Sequence, residues 1–112
     1  MICRFIRVVW GGGNKLKSAT KVYENGTEGK TSHTFTTQKG KAYAIAILEF
    51  NGSSNVKADY TGCEVLYSIK DFMNTTYYAT MLSAVVVATG TSVTITMSGG
   101  IDYQSTIVYE LN

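Results

Sequence analysis

Residues 41–50, KAYAIAILEF, alternate so that Tyr43, Ile45 and Ile47 point to one side of a strand. Ala42, Ala44, Ala46, Leu48 and Phe50 point to the other. Both sides are apolar. A strand of this kind needs cover on both faces, either from a second sheet and a neighbouring subunit or from closure into a barrel. One other long run shares the property, residues 77–89, YYATMLSAVVVAT. Its β-branched Val85, Val86 and Val87 and its entry through Thr75 and Thr76 predict a strand, although its length would also suit a helix.

The rest of the chain reads as short alternating segments parted by turns. Residues 2–10 set Ile2, Ile6, Val8 and Trp10 on one face and Cys3, Phe5 and Val9 on the other, and Gly11, Gly12, Gly13 and Asn14 then form a hinge. Such a segment is either an arm exchanged between subunits or an internal strand ending in a glycine bend. A short strand is expected over 15–23. Asn25-Gly26 follows as a tight turn with positive backbone angles, and a second strand runs over 31–37. Gln38-Lys39-Gly40 turns the chain into the central strand, and Asn51-Gly52 ends it. Val56, Ala58 and Tyr60 alternate weakly, Gly62 breaks the run, and Val65, Tyr67 and Ile69 mark another strand. Residues 71–76 read as a polar loop, with one helical turn capped by Asp71. Val93, Ile95 and Met97 alternate with Ser and Thr between turns at Gly90-Thr91 and Gly99-Gly100, and Ile107, Tyr109 and Leu111 close the chain. About eight short strands at this spacing predict an all-β fold, an antiparallel β-sandwich or barrel. The expected division is an N-terminal arm with its glycine hinge over 1–14 and a β-sandwich body over 15–112.

Composition sharpens that expectation. The 112-residue chain is 45% hydrophobic and only 16% charged, a balance suited to a protein that hides surface against copies of itself or partners. Residues 1–41 hold eight Lys or Arg against two Glu, whereas the remainder holds two Lys against six carboxylates. Interleaved strands would mix these charges, and a head-to-tail contact between unlike ends of adjacent subunits would use them. The lysines are scattered through turns without interleaved aromatics, so nucleic-acid binding is not expected. The start of the chain does not read as a signal peptide, since 1–10 is short and interrupted by Arg4 and Arg7. No apolar run approaches the roughly 20 residues of a membrane span, so synthesis in the cytoplasm without membrane insertion is expected. Asn25, Asn51 and Asn74 open Asn-X-Ser/Thr triplets, which would be acceptors only after secretion. Cys3 and Cys63 fit no metal or redox spacing and are expected as reduced core residues, with an inter-subunit bridge through Cys3 as the alternative if its strand is exchanged.

Candidate chemistry is sparse. Residues 26–31, GTEGKT, end like a phosphate-binding loop, but the first glycine that motif requires would fall at Glu24, and a strand pattern follows where a helix is needed. His33 is the single histidine and is expected as a surface or interface side chain beside Phe35. The carboxylates are isolated, and no serine sits in a glycine elbow. No catalytic residue, metal ligand or cofactor site is therefore expected. Tyr77, Tyr78 and Tyr103 flank or occupy loops and are the candidate contacts for a sugar or protein, because tyrosine offers a flat apolar ring with a polar tip.

FTTQKGKAYAIAILEF, then a long apolar strand, then ATGTSVTITMSGG and a final STIVYEL resemble the compact jelly rolls of the complement globular-head and tumour-necrosis-factor kind. The matching positions are Gly40 with Tyr43, Gly90 with Val93, and 106–111; the acidic residue usual after the second glycine is replaced by Thr91. The Thr, Gly and Tyr richness resembles the tail, fibre and head-decoration proteins of bacteriophages. This resemblance, covering 31–111, implies a jelly-roll-like sandwich without catalysis, in a self-associating and often trimeric virion component. Its partners would be copies of itself, other virion proteins and a cell-surface glycan or protein. Ile2, Phe5, Ile6, Val8 and Trp10 would then form the oligomer interface. A monomeric carbohydrate- or protein-binding module is the alternative from another class.

Overall fold

A computed structural model describes residues 16–50, 55–74 and 79–112. Eight strands appear in it: β1 (Ala19–Asn25), β2 (Ser32–Thr36), β3 (Ala42–Phe50), β4 (Lys57–Thr61), β5 (Cys63–Asn74), β6 (Ala79–Ala88), β7 (Ser92–Ser98) and β8 (Tyr103–Leu111). They form a five-stranded sheet in the order β1-β8-β3-β6-β5 and a three-stranded sheet in the order β2-β7-β4. Every ladder is antiparallel. The all-β sandwich read from the sequence is the fold.

The connectivity follows from folding one long hairpin over on itself. β1 pairs with β8, β2 with β7 and β3 with β6, while β4 leads directly into β5. This nesting is that of a jelly roll, in which successive strands alternate between two sheets. One strand departs from it: β5 adds to β6 in the five-stranded sheet and does not extend the second sheet beside β4. The corner is Gly62, at φ 82°. A Cβ there would collide with the carbonyl oxygen of Ser92, so both the backbone angle and the space exclude a side chain.

β3 lies at the centre of the wider sheet, between β8 and β6. Its Tyr43, Ile45 and Ile47 are completely buried, and they join Val86, Ala84, Leu82 and Val108 from their own sheet in the main core. The second sheet answers with Phe35, Val93, Ile95 and Met97. The opposite face is lined by small residues. Ala42 and Ala44 pack there with Val85 and Leu111, bordered by Leu16, Tyr67, Ile69 and Tyr109. The large side of β3 therefore takes the second sheet, and the alanine side is framed by aromatics from β5 and β8.

Several local expectations change. Residues 71–74 continue β5 as strand, because the ladder with β6 carries on through Asp71 opposite Met81 and Phe72 opposite Thr80 and offers more backbone pairing than a loop or helical turn. The positive backbone angle in the β1–β2 loop falls on Gly29, at φ 71°, and not on Gly26. The segment 26–31 enters β2 directly, so no helix N-terminus stands behind its lysine.

Candidate functional site

The one histidine is not at the surface. His33 is 1% exposed, because the alternation of β2 aims it, with Phe35, between the sheets. The expectation of a surface or interface side chain is thus corrected: a strand covered on one face buries every second residue whatever its polarity. Burial is offset by hydrogen bonding. Nδ1 of His33 lies 2.7 Å from the Tyr23 hydroxyl, and Nε2 lies 3.4 Å from Oγ1 of Thr106. Thr106 donates its hydroxyl proton to Oε1 of Gln104 at 2.7 Å, so toward His33 it can only accept. Nε2 therefore carries the imidazole proton, and Nδ1 accepts from Tyr23. Nε2 of Gln104 in turn donates to Oδ1 of Asn25 at 3.1 Å and to the Thr27 carbonyl at 2.8 Å.

The result is a directed circuit, from Tyr23 on β1 through His33 on β2 to Thr106 and Gln104 on β8 and back to Asn25 at the end of β1. It operates with a neutral imidazole. A second proton on His33 would force Tyr23 to turn its hydroxyl and would place a charge away from water. Desolvation accordingly holds the His33 pKa below its usual value, with the Lys30 charge acting in the same direction and a backbone hydrogen bond at Lys30 opposing it. Glu49 sits on the same inner face, opposite Thr80 on β6 and Gln104 on β8, and all three are buried. Sequence reading passed over Thr106, Gln104 and Glu49. The available signal was register: polar residues at inward positions of strands whose inward neighbours are apolar.

A second polar tie supports the centre. The Tyr43 hydroxyl donates to Glu110 and accepts from the backbone N–H of Gln38, each at 2.8 Å. Its ring packs 5.6 Å from that of Phe35. On the far side, between β4 and β5, lies a cleft of about 220 Å³ lined by Val56, Lys57, Tyr60, Ser68, Lys70 and Leu82. Burial, with smaller contributions from Cys63 and Asp59, pushes the Tyr60 phenol up to about 12, so it stays protonated at any ordinary pH. Among the described residues no group of three or more His, Cys, Asp and Glu could hold a metal ion.

Of the proposed surface contacts, Tyr103 is 45% exposed. It opens β8 and does not lie in the preceding loop, and it stands opposite Phe50, 41% exposed, across the β3–β8 ladder. Tyr77 and Tyr78 lie outside the described residues, as do the interface positions Ile2, Phe5, Ile6, Val8 and Trp10 and the rest of the 1–14 arm. Cys63 is a free, partly buried thiol whose pKa burial raises, which makes it a packing residue of low reactivity. Compared with known proteins, the chain matches no family model, no curated protein and no solved structure.

Proposed function

We propose that this chain is a non-catalytic structural protein that self-assembles, of the kind that builds the tails, fibres or capsid decorations of bacteriophages. The observation that carries the reading is where the two kinds of side chain lie. The one histidine, which an acid–base mechanism would need at the surface, has both ring nitrogens engaged and is 1% exposed. Large apolar side chains are instead left outside, with Leu66 and Phe72 on β5 42% and 49% exposed. Exposed apolar groups gathered on one element are a feature of surfaces that meet a partner. The nested hairpin pairing agrees with the jelly-roll resemblance, and the resemblance supplies the virion setting. Native mass and electron micrographs of the purified chain test the reading: an oligomer is expected, and a strictly monomeric species at micromolar concentration would overturn it.

One observation favours a second reading. Phe50 and Tyr103 present two adjacent exposed rings on the outer side of the wide sheet, an arrangement suited to a sugar face or a protein loop. A monomeric binding module would use that pair alone, and a receptor-binding virion protein would use it together with assembly. A glycan array probed with the wild-type chain and with Tyr103→Ala separates them: glycan binding by a monomer, lost in the variant, selects the module.

A further inference from the structure

We infer that β5 is a self-pairing edge through which two copies of this chain join their five-stranded sheets about a two-fold axis at Ile69. The inference rests on the self-assembly reading above and names the surface.

The four sheet edges differ. Among the described residues β2 and β4 are short edges of five residues each, rich in Ser, Thr and charge. β1 is broken by a bulge between Lys21 and Tyr23. Short, charged or bulged edges resist adding another strand. β5 has 12 residues and carries bulges at Val65/Tyr67 and Phe72/Asn74, but between them its ladder runs unbroken from 67 to 72, longer than any regular stretch of the other three edges. It also overhangs. By its register Ser68, Lys70 and Phe72 stand opposite Ala84, Leu82 and Thr80, on the side that faces the second sheet, but the second sheet ends at β4. Val65, Leu66 and Phe72 are consequently 42%, 42% and 49% exposed, and the cleft between β4 and β5 stays open. The Lys70 ammonium, 5.6 Å from the ring centroid, stands over Phe72.

The occupant follows from the sequence of the edge. Antiparallel strands related by a two-fold axis keep their faces, so opposite residues share a side and the axis passes through a residue. An axis at Lys70 or Asp71 would set a charge against its own copy. At Ser68 it would set Leu66 against Lys70 and Phe72 against Glu64, and at Tyr67 it would leave Phe72 beyond the partner strand. At Ile69 none of this happens. Leu66 meets the partner's Phe72 twice, Ser68 meets the partner's Lys70, and Tyr67 meets the partner's Asp71. Each overhang then supplies the apolar cover that the other lacks, and the strand backbones pair.

Light scattering and native mass on the full chain decide the matter, with Leu66→Lys, Phe72→Lys and, on the opposite edge, Val22→Lys as a control. The expected result is a halved mass for the two β5 variants, unchanged far-ultraviolet circular dichroism, and wild-type mass for Val22→Lys. A cross-linking arm reads the register. With Cys3 and Cys63 replaced by serine, chains carrying Leu66→Cys and chains carrying Phe72→Cys are mixed and oxidised, and the mixed disulfide should form in preference to either like pair. Wild-type assembly that survives both lysine substitutions, without the mixed disulfide, overturns the β5 edge and leaves the self-assembly reading standing. A monomeric wild type overturns both.

Discussion

The five-stranded sheet ends at β1 against a network of hydrogen bonds and at β5 against an open cleft. At the first edge Tyr23 reaches His33 across the gap between the sheets, and Asn25 closes the circuit through Gln104. Outside, Lys21 and Glu24 form an exposed ion pair at 2.6 Å, which adds little stability but keeps a charged edge facing water. At the second edge Gly62 has turned β5 away from β4, the narrower sheet stops short, and Leu66 and Phe72 are left uncovered. The same sheet thus spends polar side chains to seal one margin and leaves apolar ones at the other. Sealing contributes to the stability of the single chain, whereas the open margin contributes only when something covers it.

The contrast can be broken most severely at the corner that creates it. Gly62→Ala should lose about 4 kcal/mol, from left-handed backbone strain and the collision with the Ser92 carbonyl. Denaturant unfolding reads this, and an unchanged midpoint would mean that the corner does not hold β5 in place. His33→Ala attacks the sealed margin. It opens a cavity beside Phe35 and strands Tyr23 and Thr106, for an expected loss of about 3 kcal/mol. Tyr43→Phe keeps the ring and removes two hydrogen bonds, and about 2 kcal/mol is the expected cost by the same assay.

A gentler probe of the sealed margin is pH. The folded-state pKa of His33 lies below its unfolded value of about 6.5. Above that value neither state is protonated and the group has no effect. As pH falls through it, the unfolded chain binds a proton that the folded chain refuses, so stability declines until the folded pKa is reached. His33→Gln should flatten this part of the wild-type stability profile, and identical slopes in the two proteins would assign the effect to other groups. The smallest effect belongs to the open margin. Leu66→Lys should change the unfolding free energy of the single chain by no more than about 0.5 kcal/mol, because its side chain is already 42% exposed.

Much of this architecture is legible in single residues. Tyr43, Ile45 and Ile47 declare the large face of β3 by alternation, and Gly40, Gly62, Gly99 and Gly100 mark corners where the chain takes positive φ, from 82° to 98°. His33 was legible in position but not in environment. Its alternation with Thr34 and Phe35 fixes which side it faces, yet only the arrival of β8 from 73 residues away supplies Thr106 as its partner. Gln104 and Glu49 show their inward register in the sequence, but which buried residues stand opposite them depends on the strands that arrive beside β3. Gly99 and Gly100 place Tyr103 in a loop by sequence pattern, whereas its pairing with Phe50 across the ladder makes it strand.

Among the described residues the sequence by itself determined most of the strands, their two-faced or one-faced character and most of the turns, because these depend on alternation and backbone freedom within a few residues. Tertiary structure decided which face of β3 received the second sheet, that β5 crossed to the wider sheet, and that His33 became the hinge-pin of a closed polar circuit. Those outcomes depend on long-range register. A one-position shift in any ladder would exchange inside for outside, and no local pattern records where the distant partner strand comes to rest.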